Sequence, residues 1–175
     1  MAIKDELERT FLAKYIPEGI KDCEFVILED NYIPKEVKHP ILRIRRKGKD
    51  SAITKKYKKK ESDASVMVEE TIPLTPEEYK CISQLDGKKF SKKRCSYEYK
   101  KGKFCEIDIY QGKLKGLVVV DFEFESVKEK DGFKSPDFCL AEVTNEKFLA
   151  GGMLCGKSYT DLQDKLKKFN YKKIN

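Results

Sequence analysis

The sequence predicts a mainly antiparallel β protein of the α+β class, a roughly eight-stranded β-barrel braced by a few outer helices. Three observations carry that expectation. Most strand-like segments alternate with a period of two, apolar on one parity and polar on the other. The polar parity tends to carry paired charges of one sign per segment, acid on some and base on others. Turn formers separate the segments, and only two stretches have clear helical periodicity with caps.

The first segment, Asp5-Glu6-Leu7-Glu8-Arg9-Thr10-Phe11, sets Glu6, Glu8 and Thr10 on one face and Leu7, Arg9 and Phe11 on the other. Pro17-Glu18-Gly19 then breaks the chain. Residues 24–33 form a β-branched and aromatic run that ends at Pro34. Residues 41–46 alternate, Leu42 and Ile44 against Arg43 and Arg45. A turn at Gly48-Lys49-Asp50 leads into the hairpin partner 52–57, with Thr54 and Lys56 on one parity. Residues 65–72 read as a further strand that stops at Pro73.

Thr75-Pro76-Glu77-Glu78 supplies an N-cap, a proline at the first helical position and a glutamate three residues after the cap. Tyr79, Ile82 and Leu85 form the stripe of that helix, an outer brace without chemistry. Strands follow at 90–99 and 104–110 around a Lys101-Gly102 turn, then at 117–125. They carry Lys92 and Arg94, Glu106 and Asp108, and Asp121, Glu123 and Glu125. Pro136 interrupts a mixed segment, and 148–154 form a short helix or turn around Gly151-Gly152. Ser158 caps a last amphipathic helix through Leu162, Leu166 and Phe169.

The 175 residues are read as one domain, 1–175, without internal repeat or linker. Charged residues reach 38% and the formal net charge is +7, which favours an anionic partner. No apolar run is long enough for a signal peptide or membrane span, so the expected setting is the cytoplasm, with no membrane partner. Six scattered cysteines and a single His39 argue against zinc and against a dense disulfide framework, and predict reduced thiols. His39 reads as a loop residue. The basic run 55–60 reads as a solvated hairpin end, which disfavours nucleic acid.

An open sheet with its polar face in solvent would also alternate in this way. Sorting by sign favours the other arrangement, in which the charges line a wet interior. The chemistry that needs both signs in one cavity is metal-assisted phosphoryl transfer. Carboxylates hold a hard divalent cation, and arginine and lysine bind phosphate oxygens.

The ordered series resembles the CYTH superfamily, the triphosphate tunnel metalloenzymes, over nearly the whole chain. Glu6-Leu7-Glu8 resembles its opening Glu-x-Glu-x-Lys strand, Arg43-Ile44-Arg45 its Arg-x-Arg, and Thr54-Lys55-Lys56 its Thr-x-Lys. Lys92-Lys93-Arg94 is similar to its Lys-x-Arg, Glu106-Ile107-Asp108 to its Glu-x-Asp, and 116–123 to its Gly-Leu-x-x-x-Glu-x-Glu strand. Glu69 before Ile72-Pro73 and the late Glu142-Val143-Thr144 also match.

The resemblance implies a closed eight-stranded tunnel that hydrolyses inorganic or nucleoside triphosphate with Mg²⁺ or Mn²⁺. Glu6, Glu8, Asp108, Asp121 and Glu123 would hold metal. Arg43, Arg45, Lys56, Glu69, Lys92, Arg94, Glu106 and Lys157 would form the substrate site, with Glu6, Glu8, Arg45 and Lys56 in catalysis. Class IV adenylate cyclase activity and non-catalytic polyphosphate binding are the alternatives, and a homodimer is left open. A cyclase needs a platform for an organic ring, for which Tyr32, Tyr97, Tyr99 and Phe104 are the candidates. The chain departs from the family at Thr10, where the first motif has lysine, and Arg9 has the wrong parity to replace it.

Overall fold

The computed structural model describes residues 2–60 and 63–175; the side chains of 2–6, 59–60 and 63–67 lie outside the described residues. Ser65 and Met67, which stand where charged residues are common in the family that the sequence resembles and so would thin the lumen charge on that strand, fall there.

Nine strands form one antiparallel sheet among the described residues, in the order β5-β4-β3-β2-β6-β7-β8-β1-β9. They are β1 (Ala2–Ala13), β2 (Phe25–Ile33), β3 (Leu42–Lys47), β4 (Asp50–Lys60), β5 (Asp63–Leu74), β6 (Lys88–Lys100), β7 (Lys103–Tyr110), β8 (Val118–Phe124) and β9 (Cys139–Glu142). β1 has a divided role. Residues 2–7 pair with β5, and residues 7–12 pair with β8.

The helices are α1 (Pro76–Ile82), α2 (Val127–Asp131), α3 (Gly151–Leu154) and α4 (Tyr159–Lys167). Thr75 and Glu78 form the expected capping box of α1, and Ser158 with Asp161 does the same for α4. α1 buries no residue fully and lies lightly on the outside, as a brace should. Two expectations change. Pro73 does not end β5: it lies within the strand, opposite Ala52 at its end. β9 and α2 were not legible, because four or five residues carry too little periodicity to read.

Two apolar clusters frame the sheet. One lies on the outer face of β1, β6, β7 and β8, where Phe11, Cys95, Ile107, Val120 and Phe122 pack with Phe133 and Phe138 of the segment after β8. The second gathers Leu12, Tyr110 and Val119 against Phe148, Leu149, Leu154, Leu162 and Leu166 of the C-terminal segment. Cys23 and Cys95 are disulfide-bonded, which corrects the expectation of reduced thiols at those two positions. Cys81, Cys105, Cys139 and Cys155 are free. No helix among the described residues is long and apolar enough to cross a membrane.

Candidate functional site

Sheet order turns the sorted strands of the sequence into sorted walls. β7, β8 and β1 are neighbours, so Glu106, Asp108, Asp121, Glu123 and Glu8 share one wall. Pairing sets Glu8 opposite Glu123, and Glu106 opposite Asp121. The bases stand on other strands, with Lys92 and Arg94 on the neighbouring β6, Arg43 and Arg45 on β3, and Lys56 on β4. All of these residues, with Glu69, line one cavity of about 1220 Å³.

Ion pairs show that the two walls share a concave face. Lys56 Nζ donates to both Glu8 carboxylate oxygens at 3.0 Å, although β5 lies between their strands. Arg94 Nη2 lies 3.5 Å from Asp121 across β7. Arg43 Nη2 reaches Glu69 at 3.5 Å across β4. Second-neighbour strands are roughly 9–10 Å apart. Side chains bridge that gap readily when the face between them curves inward.

Burial divides these pairs. Asp108 is 1% exposed; it accepts from Arg94 Nε at 2.7 Å and Nη2 at 2.6 Å, and also from Lys92. Burial alone would raise its pKa, but the two cations hold it at about 2. Asp121 behaves in the opposite way. Burial and the neighbouring Asp108 and Glu8 carboxylates push it up to about 7. Burial and nearby Arg94 lower the Lys92 ammonium. Crowded carboxylate oxygens that cannot all ionise freely form a hard donor set, suited to Mg²⁺ or Mn²⁺. Among the described residues no three or more His, Cys, Asp or Glu side chains converge as a ready metal cage.

Glu6 lies on β1 two residues before Glu8, and its side chain is outside the described residues. Lys157 is not brought to the cavity. It lines a second hollow of about 570 Å³, beside Arg46, Tyr79 and Lys113. Of the four aromatic residues considered as a ring platform, only Tyr32 lines the main cavity. Tyr97 and Tyr99 pack in the outer apolar cluster, and Phe104 is exposed.

Thr10, at the position of the family lysine, donates from Oγ1 to Asp121 Oδ1 at 2.8 Å. Its backbone N–H donates to Thr144 Oγ1, and Thr144 in turn donates to Glu142. The late Glu142-Val143-Thr144 segment therefore fixes β1 beside the acidic wall. Gly151 and Gly152, which also line the cavity, pack closely on Tyr32 and Pro40. A Cβ on Gly151 would lie 2.1 Å from the Tyr32 hydroxyl, and one on Gly152 would lie 2.1 Å from the Pro40 carbonyl.

Sequence reasoning missed Asp30. It is 2% exposed and forked onto Arg45. Its signal was present, since it keeps the parity of Leu28 and Tyr32 in a run otherwise read only as apolar.

No family model matches the chain. The chain is 27% identical over 146 residues to an inorganic triphosphatase of Nitrosomonas europaea, covering 81% of this chain and 91% of that one. The crystal structure of the inorganic triphosphatase NE1496 superposes with a TM-score of 0.63 at 26% identity, covering 86% of this chain and 93% of that one. An adenylate cyclase-like protein from Bacillus halodurans shares the fold at 17% identity, with a TM-score of 0.57 and coverage of 100% and 95%. The chain is thus similar to an inorganic triphosphatase in sequence and fold, in keeping with the resemblance of its ordered charged strands to the CYTH superfamily.

Proposed function

We propose that the protein is a metal-dependent triphosphatase that cleaves the terminal phosphate of inorganic triphosphate or a nucleoside triphosphate. The observation that carries this reading is the single cavity lined by carboxylates of β7, β8 and β1 and by arginine and lysine of β3, β4 and β6. A triphosphate with its cation is the ligand that would satisfy both. Kinship with an inorganic triphosphatase supports the same reading.

Part of the proposal is that the divided pairing of β1 makes the wall continuous, so that eight strands form a tunnel with β9 added outside the ring. Glu8, Asp121 and Glu123, with Glu6 and Asp108, are the residues that would hold Mg²⁺ or Mn²⁺. When bound, such a cation supplies charge neutralisation at the phosphate and lowers the pKa of water.

Arg43, Arg45, Lys56, Lys92 and Arg94 bind the phosphate oxygens and stabilise the charge that spreads over them during transfer. Water attacks the terminal phosphorus in line. The new P–O bond forms as the bond to the diphosphate oxygen breaks, leaving orthophosphate and diphosphate, and the water proton passes to bulk or to a wall carboxylate. The charged wall excludes other orientations of the chain of phosphates, which is most of what the protein contributes.

Triphosphatase is favoured over cyclase by the kinship with an inorganic triphosphatase; of the four residues expected to offer a ring platform, only Tyr32 lines the cavity, beside Tyr57, Phe90 and Tyr110. A cytoplasmic setting belongs to this reading. The Cys23–Cys95 bond stands against it, since such bonds are rare there.

The test is release of phosphate from tripolyphosphate, ATP and thiamine triphosphate, with Mg²⁺, with Mn²⁺ and with chelator. Metal-dependent release from tripolyphosphate is the expected result. Cyclic AMP from ATP would replace this reading with the cyclase, and binding without turnover would replace it with a polyphosphate binder.

A further inference from the structure

Asp30 has the geometry of a built part rather than of a surface acid. It stands on β2 directly opposite Arg45 of β3 and opposite Phe90 of β6. Its carboxylate accepts from Arg45 Nε at 2.7 Å and from Nη2 at 2.7 Å, and it lies 4.0 Å from Arg43 Nε. The side chain has no exposed area. Burial alone would raise its pKa, yet the two arginines keep it below the ordinary aspartate range, so it stays anionic.

A second pair repeats the arrangement. Asp108 lies directly opposite Arg94 and takes the same Nε and Nη2 edge. A guanidinium has five donors in a rigid plane. Occupying the Nε edge uses two of them and fixes the plane; the other donors of Arg94 go to Glu106 and Asp121, whereas Arg45 bonds only Asp30 among the described residues and lines the cavity. An arginine without such a partner carries rotamer freedom that it must lose when it binds phosphate.

We infer that Asp30 is a positioning residue for triphosphate: it locks the Arg45 guanidinium edge-on so that the free edge meets a phosphate in a set orientation. This rests on the triphosphatase reading and adds to it a residue that touches no substrate.

The test is a double-mutant cycle on KM and kcat for tripolyphosphate with Mg²⁺. D30N keeps the shape of the side chain but cannot accept on both oxygens as an anion. In the wild-type background it is expected to raise KM about tenfold, with a smaller change in kcat. In the R45A background the same substitution is expected to change KM by less than about twofold, because the group it orients is gone.

A purely structural Asp30 would lower Tm and cost the same factor in both backgrounds. Equal penalties, or a D30N KM within about twofold of wild type, would overturn the inference. Should either single variant fail to fold, D30E tests the same dependence: a KM raised at least about threefold is expected, and an unchanged KM sinks it. If the wild-type protein hydrolyses no triphosphate, the failure belongs to the proposed activity. The cycle is then read from calorimetric tripolyphosphate binding, where absence of binding or of coupling overturns the positioning role as well.

Discussion

Along a single face of the same strands, charge gives way to hydrocarbon within two residues. Thr10 is followed by Leu12 on β1, and Asp108 by Tyr110 on β7. Val119 precedes Asp121 on β8, Phe90 precedes Lys92 on β6, and Tyr32 follows Asp30 on β2. The charged members line the cavity. The apolar ones form its floor, with Tyr32 and Phe90 rings 6.0 Å apart and Phe90 and Tyr110 5.4 Å apart. Leu149 and Leu154 of the C-terminal segment belong to the same packed end. Strand parity settles which side a residue takes. Whether that side is wet depends on what covers it.

The comparison breaks most sharply from the charged side. Glu8→Gln should cut metal-dependent turnover on the order of 10³-fold while Tm stays close to wild type, because a solvated wall tolerates a neutral amide. Retained turnover would remove Glu8 from the metal shell. The floor should behave in the reverse way. Leu154 is fully buried, and Leu154→Ala is expected to cost about 3 kcal/mol of stability, roughly 6–12 °C in Tm for a chain of this size. Turnover measured well below that Tm should change little. Loss of activity without loss of stability would mean that the floor takes part in the chemistry.

A smaller effect sharpens the boundary between the two regions. Thr10→Val removes the hydroxyl that donates to Asp121 but keeps the volume, and should lower kcat/KM a few-fold, about 1 kcal/mol. An unchanged kcat/KM would show that Asp121 needs no donor from β1.

The smallest effect lies on the outside, as a control. Arg9 hydrogen-bonds Glu142 and holds its carboxyl below the usual glutamate range. The folded-state pKa is depressed, so the stabilisation is present above the unfolded value of about 4.3 and lost as pH falls through the folded one. Wild type should exceed Glu142→Gln by less than about 1 kcal/mol at pH 7, and the difference should shrink as pH is lowered from 7 to 3. Thermal unfolding of both at the two pH values measures it. A difference that does not shrink at all between pH 7 and pH 3 would assign the effect to the hydrogen bond of Thr144 instead of charge.

Much of the strand plan was legible because a period of two survives in residues such as Leu42-Arg43-Ile44-Arg45, where each side chain has one role. Both caps were legible because Thr75 with Glu78, and Ser158 with Asp161, satisfy backbone donors within their own turn. Lys157 was misread since it follows α3, where no periodicity tells which way the chain leaves the floor. Asp30 was missed for a related reason. A lone acid in an apolar strand looks like noise until its partner, 15 residues away, is known to sit opposite.

The sequence alone determined which residues share a face, since parity is local to each strand and owes nothing to the rest of the chain. It also determined that the charges are sorted by sign. Tertiary structure decided which strands are neighbours, and so which acids crowd one another and which bases they meet. It decided, too, where the cavity stops and the floor begins. Those outcomes depend on contacts between segments more than 100 residues apart, such as Thr10 with Asp121. No window along the chain contains both partners.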